Sequence, residues 1–402
     1  MGNEKLWDSG LRIVLPGMIF CLLCAPAFAQ SSHQADAPGF VQQNLRSDEV
    51  MLEYFLTDSS VLVNAIAVDS TLLAQQSLNA LFWASLKSFQ KKLRSADPNE
   101  FSILGQVLYL FLIDPVKDFL NGKRRLIIIP GSKLAGLPFE AFVLNDQSSP
   151  PYNICDIHYL IRDYEIVYHC SSVCWADITP GHQDEHTADP GDSRYAFLGF
   201  SPGFSNYRGV SALPGSQVEV AAIGSLFKQK GLACRTVSGQ NSEKGYFKSM
   251  ACRGKIVHLA THFLHDKENP GEKGFLFWGY DLPGRKDKAD NGFLSAEEIP
   301  ALHLEADLVV LNACSSGTGL LKPDDPESSL PCVFFTAGAR NILSTLWSVN
   351  DDLTGKFMIS FYRRWLSGKT YSEALREVKL YMISRPETAL PTIWAPYVLT
   401  GH

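Results

Sequence analysis

Short apolar runs that alternate with helical segments are the feature that most constrains the fold of this chain. From residue 195 onward each run is six to nine residues long, which suits a buried strand and is too short for a buried helix. Strands that alternate with helices predict a mostly parallel sheet with helices on both faces. The expected strands are 195–200, 232–239, 255–260, 306–313, 341–349 and 395–401, and the expected helices are 214–230, 242–252, 328–338, 351–367 and 371–384.

The boundaries of two helical segments carry residues that favour such positions. Pro214 stands at the start of the first helix and Gly231 comes just after its end. Ser295 and Glu298 have the spacing of a capping box, which predicts a further short helix. These signals support the helix–strand alternation independently of the apolar pattern.

The chain is long enough for two domains, and its composition changes near the middle. Residues 176–194 are rich in Pro, Gly and Asp and predict a linker. We therefore expect a smaller α/β half over 41–190, without catalytic residues, ahead of the main α/β unit over 191–402. Its expected elements are a β-hairpin around Thr57–Ser60, helices at 71–94 and 98–121 with a kink or restart at Pro115, a buried strand at 126–130, and one or two strands in 158–170.

The first thirty residues have the three parts of a secretory signal peptide. Basic residues precede an apolar run over 13–29, which ends in Ala-Phe-Ala. The run is shorter than the roughly 20 residues that a membrane span prefers, and it contains prolines. We expect residues 1–30 to be a signal peptide or membrane anchor and 31–40 a linker, so that the protein is secreted or in the cell envelope. The alternative is a hydrophobic start on a cytoplasmic protein.

Composition excludes several classes of function. Apolar residues make up 46% of the chain, which is enough for a packed core and too much for a disordered chain. The formal net charge is −6 and no basic block stands out, so nucleic-acid binding through a charged face is not expected. The nine cysteines are an odd number, and seven remain without the two in residues 1–30, so at least one thiol is unpaired within the chain.

Reactive side chains follow two of the predicted strands. His262 comes after the strand at 255–260, and Cys314 comes directly after the strand at 306–313. If these strands are neighbours, both side chains emerge at one edge of the sheet, where ligands bind in open α/β folds. A thiol beside an imidazole is the minimum for nucleophilic cysteine catalysis, and the glycines after Cys314 leave backbone N–H groups open to an oxyanion. From the residues alone, a buried cysteine and a structural histidine stay possible.

Other motifs are weaker. His258, His262 and His265 would share one face of a helix and could bind zinc, but the short apolar run favours a strand, so we predict no metal. The loop after Cys314 lacks the third glycine of a dinucleotide-binding loop. No cofactor is expected.

Several segments, in a fixed order, resemble the CHAT family of caspase-like cysteine peptidases, which is related to separase and gingipain. The resemblance covers about residues 45–402 and implies a caspase-like sheet preceded by a smaller α/β half. It implies His262 as the catalytic base and Cys314 as the nucleophile. The segments are IVHLATHF, FLSAEEI, ADLVVLNACSSGTG, FFTAGARNILSTLWSVNDD, FMISFYRRWLSGKTYSEAL and WAPYVLTG, with LEYFLTDSSVLV, LIIIPGSKLAGLPFEAF and ALPGSQVEVAAI upstream.

The resemblance also implies the rest of a peptidase site. The backbone N–H groups of Phe263 and Cys314 would bind the oxyanion. Asp351 and Asp352, with Glu327 as a weaker candidate, stand where an acidic pocket would hold a substrate Arg or Lys. The alternative for the two aspartates is that they stabilise the start of their own helix.

The expected function is therefore a cysteine endopeptidase that cleaves proteins or peptides after Arg or Lys. No nucleic-acid partner is expected, membrane contact is expected only through residues 1–30, and the regulatory partner stays unidentified. The family usually has Gly where Phe263 stands, and Phe adopts positive φ far less readily than Gly. The alternative function is therefore a catalytically silent caspase-like scaffold that binds partners.

Overall fold

The chain divides into two compact units, Met1–Pro180 and Gly181–His402. The computed structural model describes residues 12–13, 37–93, 98–144, 153–172, 174–175, 194–203, 213–265, 273–280, 291–313 and 329–402. The division after Pro180 precedes the boundary that the sequence predicted after residue 190. The segment between these two positions lies outside the described residues, as does most of the predicted linker at 176–194.

The first unit contains a mixed sheet in the order β1-β4-β3-β2-β5-β6, in which β2, β5 and β6 are parallel. Its strands are β1 (Arg12–Ile13), β2 (Glu49–Leu56), β3 (Ser60–Ile66), β4 (Thr71–Ser77), β5 (Arg125–Ile129) and β6 (Glu165–Tyr168). Its helices are α1 (Ala37–Asn44), α2 (Ala80–Leu93), α3 (Pro98–Leu112) and α4 (Gly131–Leu134), with 3-10 helices at Asp114–Leu120, Phe139–Ala141, Ile154–Asp156 and Leu160–Arg162.

The predicted hairpin and buried strand of this unit are confirmed. β2 and β3 pair antiparallel, and the turn between them is closed by the Thr57 N–H, which donates to the Ser60 carbonyl at 2.9 Å. β5 is buried along all five residues, as expected for a parallel strand with both faces covered. Pro115 also restarts the chain as predicted, since α3 ends at Leu112 and a 3-10 helix follows.

The prediction of a helix over 71–94 is wrong in its first part. Residues 71–77 form β4, which pairs with β3 along seven residues, and the helix begins only at Ala80. Asn79 accepts a hydrogen bond from the Phe82 N–H at 3.1 Å, which is the geometry of a helix N-cap. Tertiary pairing with β3 satisfies the backbone of 71–77, and this contact is not visible in the local pattern.

The second unit contains a sheet in the order β15-β14-β13-β9-β7-β8. Neighbouring strands are parallel except β15, which runs antiparallel to β14. The strands of the unit are β7 (Phe197–Ser201), β8 (Cys234–Ser238), β9 (Ile256–Ala260), β10 (Phe263–His265), β11 (Lys273–Leu276), β12 (Phe293–Ser295), β13 (Leu308–Asn312), β14 (Ile342–Thr345) and β15 (Tyr397–Thr400). Its helices are α5 (Pro214–Gln229), α6 (Lys244–Met250), α7 (Leu330–Thr336), α8 (Asp351–Trp365), α9 (Tyr371–Ile383) and α10 (Pro391–Trp394), with 3-10 helices at Gly239–Asn241, Ala251–Arg253 and Ala296–Leu302.

Helices cover both faces of this sheet, which confirms the predicted fold class. Val257 and Leu259 of β9 belong to a buried cluster with Phe247 of α6 and Phe334 of α7. His258, between them, points to the opposite face, where α5 and α8 lie. Alternate residues of one strand therefore contact different helical layers, which is why the strand reads as a continuous apolar run.

A small antiparallel sheet, β10-β11-β12, follows directly on the His262 segment and was not predicted. Its strands are only three or four residues long, which is too short for a periodic pattern to appear. The capping box predicted at Ser295 and Glu298 is confirmed, and it opens the 3-10 helix after β12.

Most of the predicted leader lies outside the described residues. Arg12 and Ile13 pair with β4 as β1, and α1 begins at Ala37, so the last residues of the predicted linker at 31–40 are helical. Within the described part of the chain, no helix combines the length and the apolar character that a membrane crossing requires.

Candidate active site

The strands β7, β9, β13 and β14 are parallel, so their carboxyl ends lie along one edge of the second-unit sheet, which we call the carboxyl edge. β9 and β13 are direct neighbours, as the sequence hypothesis required, and Ala260 pairs with Asn312. His262 follows Ala260 by two residues. Ala313 is the last described residue after β13, and Cys314 lies outside the described residues.

Backbone hydrogen bonds hold the segment that contains His262. Its carbonyl accepts a hydrogen bond from the Leu276 N–H at 3.0 Å, and its side chain is partly buried. The preceding Thr261 is buried and hydrogen-bonds in two directions: its N–H donates to the Asn312 carbonyl at 3.3 Å, and its Oγ1 donates to the Leu276 carbonyl. The segment is thus held between β13 on one side and β11 on the other.

Phe263 occupies extended backbone, as the first residue of β10 paired with Phe275. Among the described residues other than glycine, only His303 has a positive φ. The ring of Phe263 packs on the core and lies 5.0 Å from the Phe275 ring. This backbone therefore does not require a glycine, and Phe263 fits it without strain.

The end of β13 is held on both flanks. The Asn312 side-chain amide donates to both carboxylate oxygens of Glu219 on α5, at 2.9 and 2.8 Å. The next residue, Ala313, accepts a hydrogen bond through its carbonyl from Thr345 Oγ1 of β14 at 2.8 Å. Sequence reasoning missed Glu219 and Asn312. The available signal was an acidic residue on the apolar stretch of a predicted helix, in the segment VEVAAI.

His258 joins the same buried group. Its Nε2 lies 2.9 Å from Glu219 Oε1, and both side chains are fully buried. The direction of this contact departs from that of an aligned hydrogen bond, so it is a close electrostatic contact rather than a directed one. The other ring nitrogen, Nδ1, lies 3.0 Å from the Tyr362 hydroxyl of α8. Burial, together with the charge of Glu219, raises the pKa of Tyr362 well above its usual value, so the phenol stays protonated.

Comparison with known proteins decides the family. The sequence matches the CHAT domain family over residues 102–402, which is most of the chain. The chain belongs to the CHAT domain family. The matched region begins later than the resemblance at about residue 45 suggested, but it includes the whole second unit.

Solved structures show the fold of this CHAT chain. The Saccharomyces cerevisiae separase–securin complex is similar with a TM-score of 0.53 and 11% identity, over 92% of this chain and 31% of that chain. A second structure of the same complex gives a TM-score of 0.50, also with 11% identity and the same coverage. The predicted caspase-like fold is thereby confirmed.

One curated relative is much longer than this chain. The chain is 25% identical over 215 residues to Tetratricopeptide repeat protein 28 of Homo sapiens, which is 47% of this chain and 8% of that protein. The CHAT chain therefore spans only a small part of this relative, and less than a third of the separase chain.

The two aspartates predicted for substrate binding lie at the carboxyl edge, at the start of α8. Asp351 Oδ2 accepts a hydrogen bond from the Gly215 N–H at 2.8 Å, at the start of α5, and a side chain on Gly215 would clash with that carboxylate. Asp352 is exposed, and its backbone N–H donates to the Asn350 side chain at 3.0 Å. The third candidate, Glu327, lies outside the described residues.

The remaining cysteines and histidines of the CHAT chain do not form a metal centre in the described ranges, where no three His, Cys, Asp or Glu side chains gather as metal ligands. His258 lies on β9, as predicted, and His265 lies on β10, which was not predicted, so the two do not share a helix face. Free thiols are present at Cys174, Cys234 and Cys252, whereas Cys170 and Cys332 each take part in a disulfide bond.

Proposed function

We propose that this CHAT domain is a cysteine endopeptidase with Cys314 as the nucleophile and His262 as the base. The observation that carries the proposal is the register of two parallel strands, in which Ala260 of β9 pairs with Asn312 of β13. Each of these residues stands two positions before a proposed catalytic residue. Continuation of the register would bring the imidazole and the thiol to adjacent strand positions, about 4.8 Å apart between the backbones.

The chemistry proposed for this pair is acyl transfer. His262 takes the proton of the Cys314 thiol, and the thiolate attacks the carbonyl carbon of the scissile peptide bond. The proton then passes from His262 to the leaving amine as the C–N bond breaks, and a thioester to Cys314 remains. Water, deprotonated by His262, attacks the thioester, and the carboxylic acid product leaves as the thiol regains its proton.

Backbone N–H groups are proposed to stabilise the oxyanion of both tetrahedral intermediates. The candidates are the N–H of Phe263 and that of Cys314. The extended conformation of Phe263 supports this role, because the Phe263 N–H follows directly on His262 at the carboxyl edge and its position is fixed by the pairing of β10 with β11. Donors fixed before the reaction need no reorganisation when charge develops.

Specificity for Arg or Lys on the amino side of the cleaved bond is proposed to come from acidic side chains. Asp352 is the better of the two described candidates, because its side chain is exposed whereas Asp351 is bonded to the start of α5. A carboxylate at this position can bind a guanidinium through two hydrogen bonds. Glu327 stays a further candidate for the same pocket.

The test uses fluorogenic peptides with Arg at the cleaved position, together with a peptide-based thiol-reactive probe. Cys314→Ala and His262→Ala are each expected to abolish cleavage, and mass spectrometry is expected to map the probe to Cys314. Cys252→Ala is the matched control, since it removes an exposed free thiol from the same unit and should keep full activity. Cleavage that persists in Cys314→Ala would contradict the proposal. A folded wild-type chain that neither cleaves nor reacts with the probe would favour the scaffold.

A further inference from the structure

A buried carboxylate beneath the carboxyl edge has no role in the chemistry described above. Glu219 is fully buried on α5. Its two oxygens accept hydrogen bonds from Asn312 of β13, and one of them touches His258 of β9. Glu219 therefore contacts the two strands that lead to Cys314 and to His262.

Burial of such a carboxylate costs free energy unless hydrogen bonds or an opposite charge compensate it. A charged group in the protein interior must be paired or hydrogen-bonded, and loss of one partner leaves the other uncompensated. The three contacts of Glu219 with Asn312 and His258 provide this compensation at 2.8–2.9 Å. His258 is in turn held by Tyr362 at 3.0 Å. The group is thus a connected polar network, and its geometry is well defined because each member depends on the others.

The network ends close to the proposed nucleophile. Asn312 is the last residue of β13, and Ala313, which follows it, is held by Thr345 from the other flank. The two residues that precede Cys314 are therefore fixed by α5 on one side and by β14 on the other. The same carboxylate contacts His258, four residues before His262 on the neighbouring strand.

We propose that Glu219 is a positioning residue that holds β9 at His258 and β13 at Asn312 so that His262 and Cys314 keep a reactive separation. The inference rests on the proposed function, since it assigns Glu219 to the same site. Displacement of a reacting group by about 1 Å can lower a rate about 100-fold. A link from one buried carboxylate to the middle of β9 and to the last residue of β13 suits this requirement.

The test compares two substitutions of one side chain. Glu219→Met keeps the approximate volume of the side chain but removes its contacts with Asn312 and His258. Glu219→Gln keeps an oxygen that can accept a hydrogen bond from Asn312. We expect kcat on an Arg peptide to fall by about 10- to 100-fold in Glu219→Met, with KM within about threefold of wild type. Glu219→Gln should recover most of kcat. A purely structural role would lower thermal stability in both variants without changing the kcat of the folded protein.

A second readout does not need peptide cleavage. The rate of alkylation of Cys314 by iodoacetamide, mapped by mass spectrometry, follows the thiolate fraction as the pH is varied. In wild type, His262 should favour the thiolate and extend reactivity below the ordinary pKa of a thiol, about 8.5. In Glu219→Met this profile should move toward higher pH. If the wild type cleaves no peptide, the proposed function fails and the alkylation profile alone decides: an unchanged profile in Glu219→Met overturns the positioning role.

Asn312→Ala provides a variant that leaves the Glu219–His258 contact in place, in case Glu219→Met does not fold. It should show the same loss of kcat, and the double variant should lose little more than either single variant, because both break one network. Glu373→Met is the matched control, since Glu373 is a hydrogen-bonded carboxylate in the capping box at the start of α9. It should lower stability and leave kcat unchanged. Losses that simply multiply in the double variant, or an equal loss of kcat in Glu373→Met, would overturn the proposal.

Discussion

Asp351 and Asp352 are neighbours in the chain, yet their side chains have different surroundings. Asp351 accepts from the Gly215 N–H at the start of α5 and also stands in the first turn of α8, so one carboxylate serves two helix starts. Asp352 is in the same turn but its side chain is exposed. The sequence left a structural and a substrate-binding role open for both, and the contacts favour one role for each.

This difference predicts opposite effects of two matched substitutions. Asp351→Asn should lower the free energy of unfolding by about 1–2 kcal/mol, because a charge-assisted hydrogen bond to a helix start is weakened. Asp352→Asn should change it by less than about 1 kcal/mol, yet lower kcat/KM for Arg peptides at least about 10-fold. Urea unfolding gives the first quantity. Kinetics on paired peptides with Arg or uncharged citrulline give the second, and an undiminished preference for Arg in Asp352→Asn would contradict the assignment.

At the scale of elements, the starts of three parallel strands in the first unit are joined by a buried ion cluster. Glu49, Arg125 and Glu165 are the first residues of β2, β5 and β6 and lie in register. The Arg125 guanidinium contacts Glu49 at 3.2 Å and Glu165 at 2.6 Å, and all three side chains are at most 6% exposed. The pairing register of these strands is therefore tied to one central arginine.

Arg125→Met should lower the free energy of unfolding by about 3–5 kcal/mol, because two buried carboxylates lose their central partner. Arg124→Met is the control on the adjacent residue. Arg124 also contacts Glu165, but its side chain is 46% exposed, so its loss should cost less than about 1 kcal/mol. Urea unfolding of the full chain measures both. Similar losses in the two variants would show that burial does not distinguish these arginines.

What the sequence could predict depends on how far each contact reaches along the chain. The strands β9 and β13 and the helices α5, α8 and α9 were predicted within a few residues, since their apolar periodicity and end residues are local. Thr71–Ser77 was wrongly predicted as part of a helix because its own pattern is ambiguous. The pairing with β3, which makes it a strand, is a tertiary contact that the local pattern does not show. The contact of Glu219 with Asn312 joins residues 93 positions apart, and no spacing rule reaches that far.

At the scale of the whole molecule, parallel strands are present in both compact units, but the ends of these strands differ in chemistry. In the second unit they carry His262 and the two aspartates. In the first unit, Glu53 of β2 pairs with Ile129 at the end of β5, and His169 follows β6. Burial raises the pKa of Glu53 and lowers the pKa of His169 to about 4. Burial in the first unit thus disfavours the charged forms of both groups.

The buried histidine predicts an acid sensitivity that originates in the first unit. The folded pKa of His169 is about 4 against an ordinary value of 6.5, so between these values the unfolded chain binds a proton that the folded chain does not. The contribution of His169 to the free energy of unfolding is therefore fully present above about pH 6.5. It is lost as the pH falls toward 4 and amounts to about 3 kcal/mol in all.

His169→Asn tests this dependence, because it removes the titration but keeps a side-chain N–H for the Ser171 carbonyl, which lies 2.9 Å from His169 Nδ1. The variant should lose less stability than the wild type between about pH 6.5 and 4, as measured by urea unfolding at a series of pH values. His303→Asn is the control, since His303 is exposed in the second unit and its φ of 47° suits asparagine. It should follow the wild type, and an identical pH dependence in His169→Asn would show that His169 does not govern the acid response.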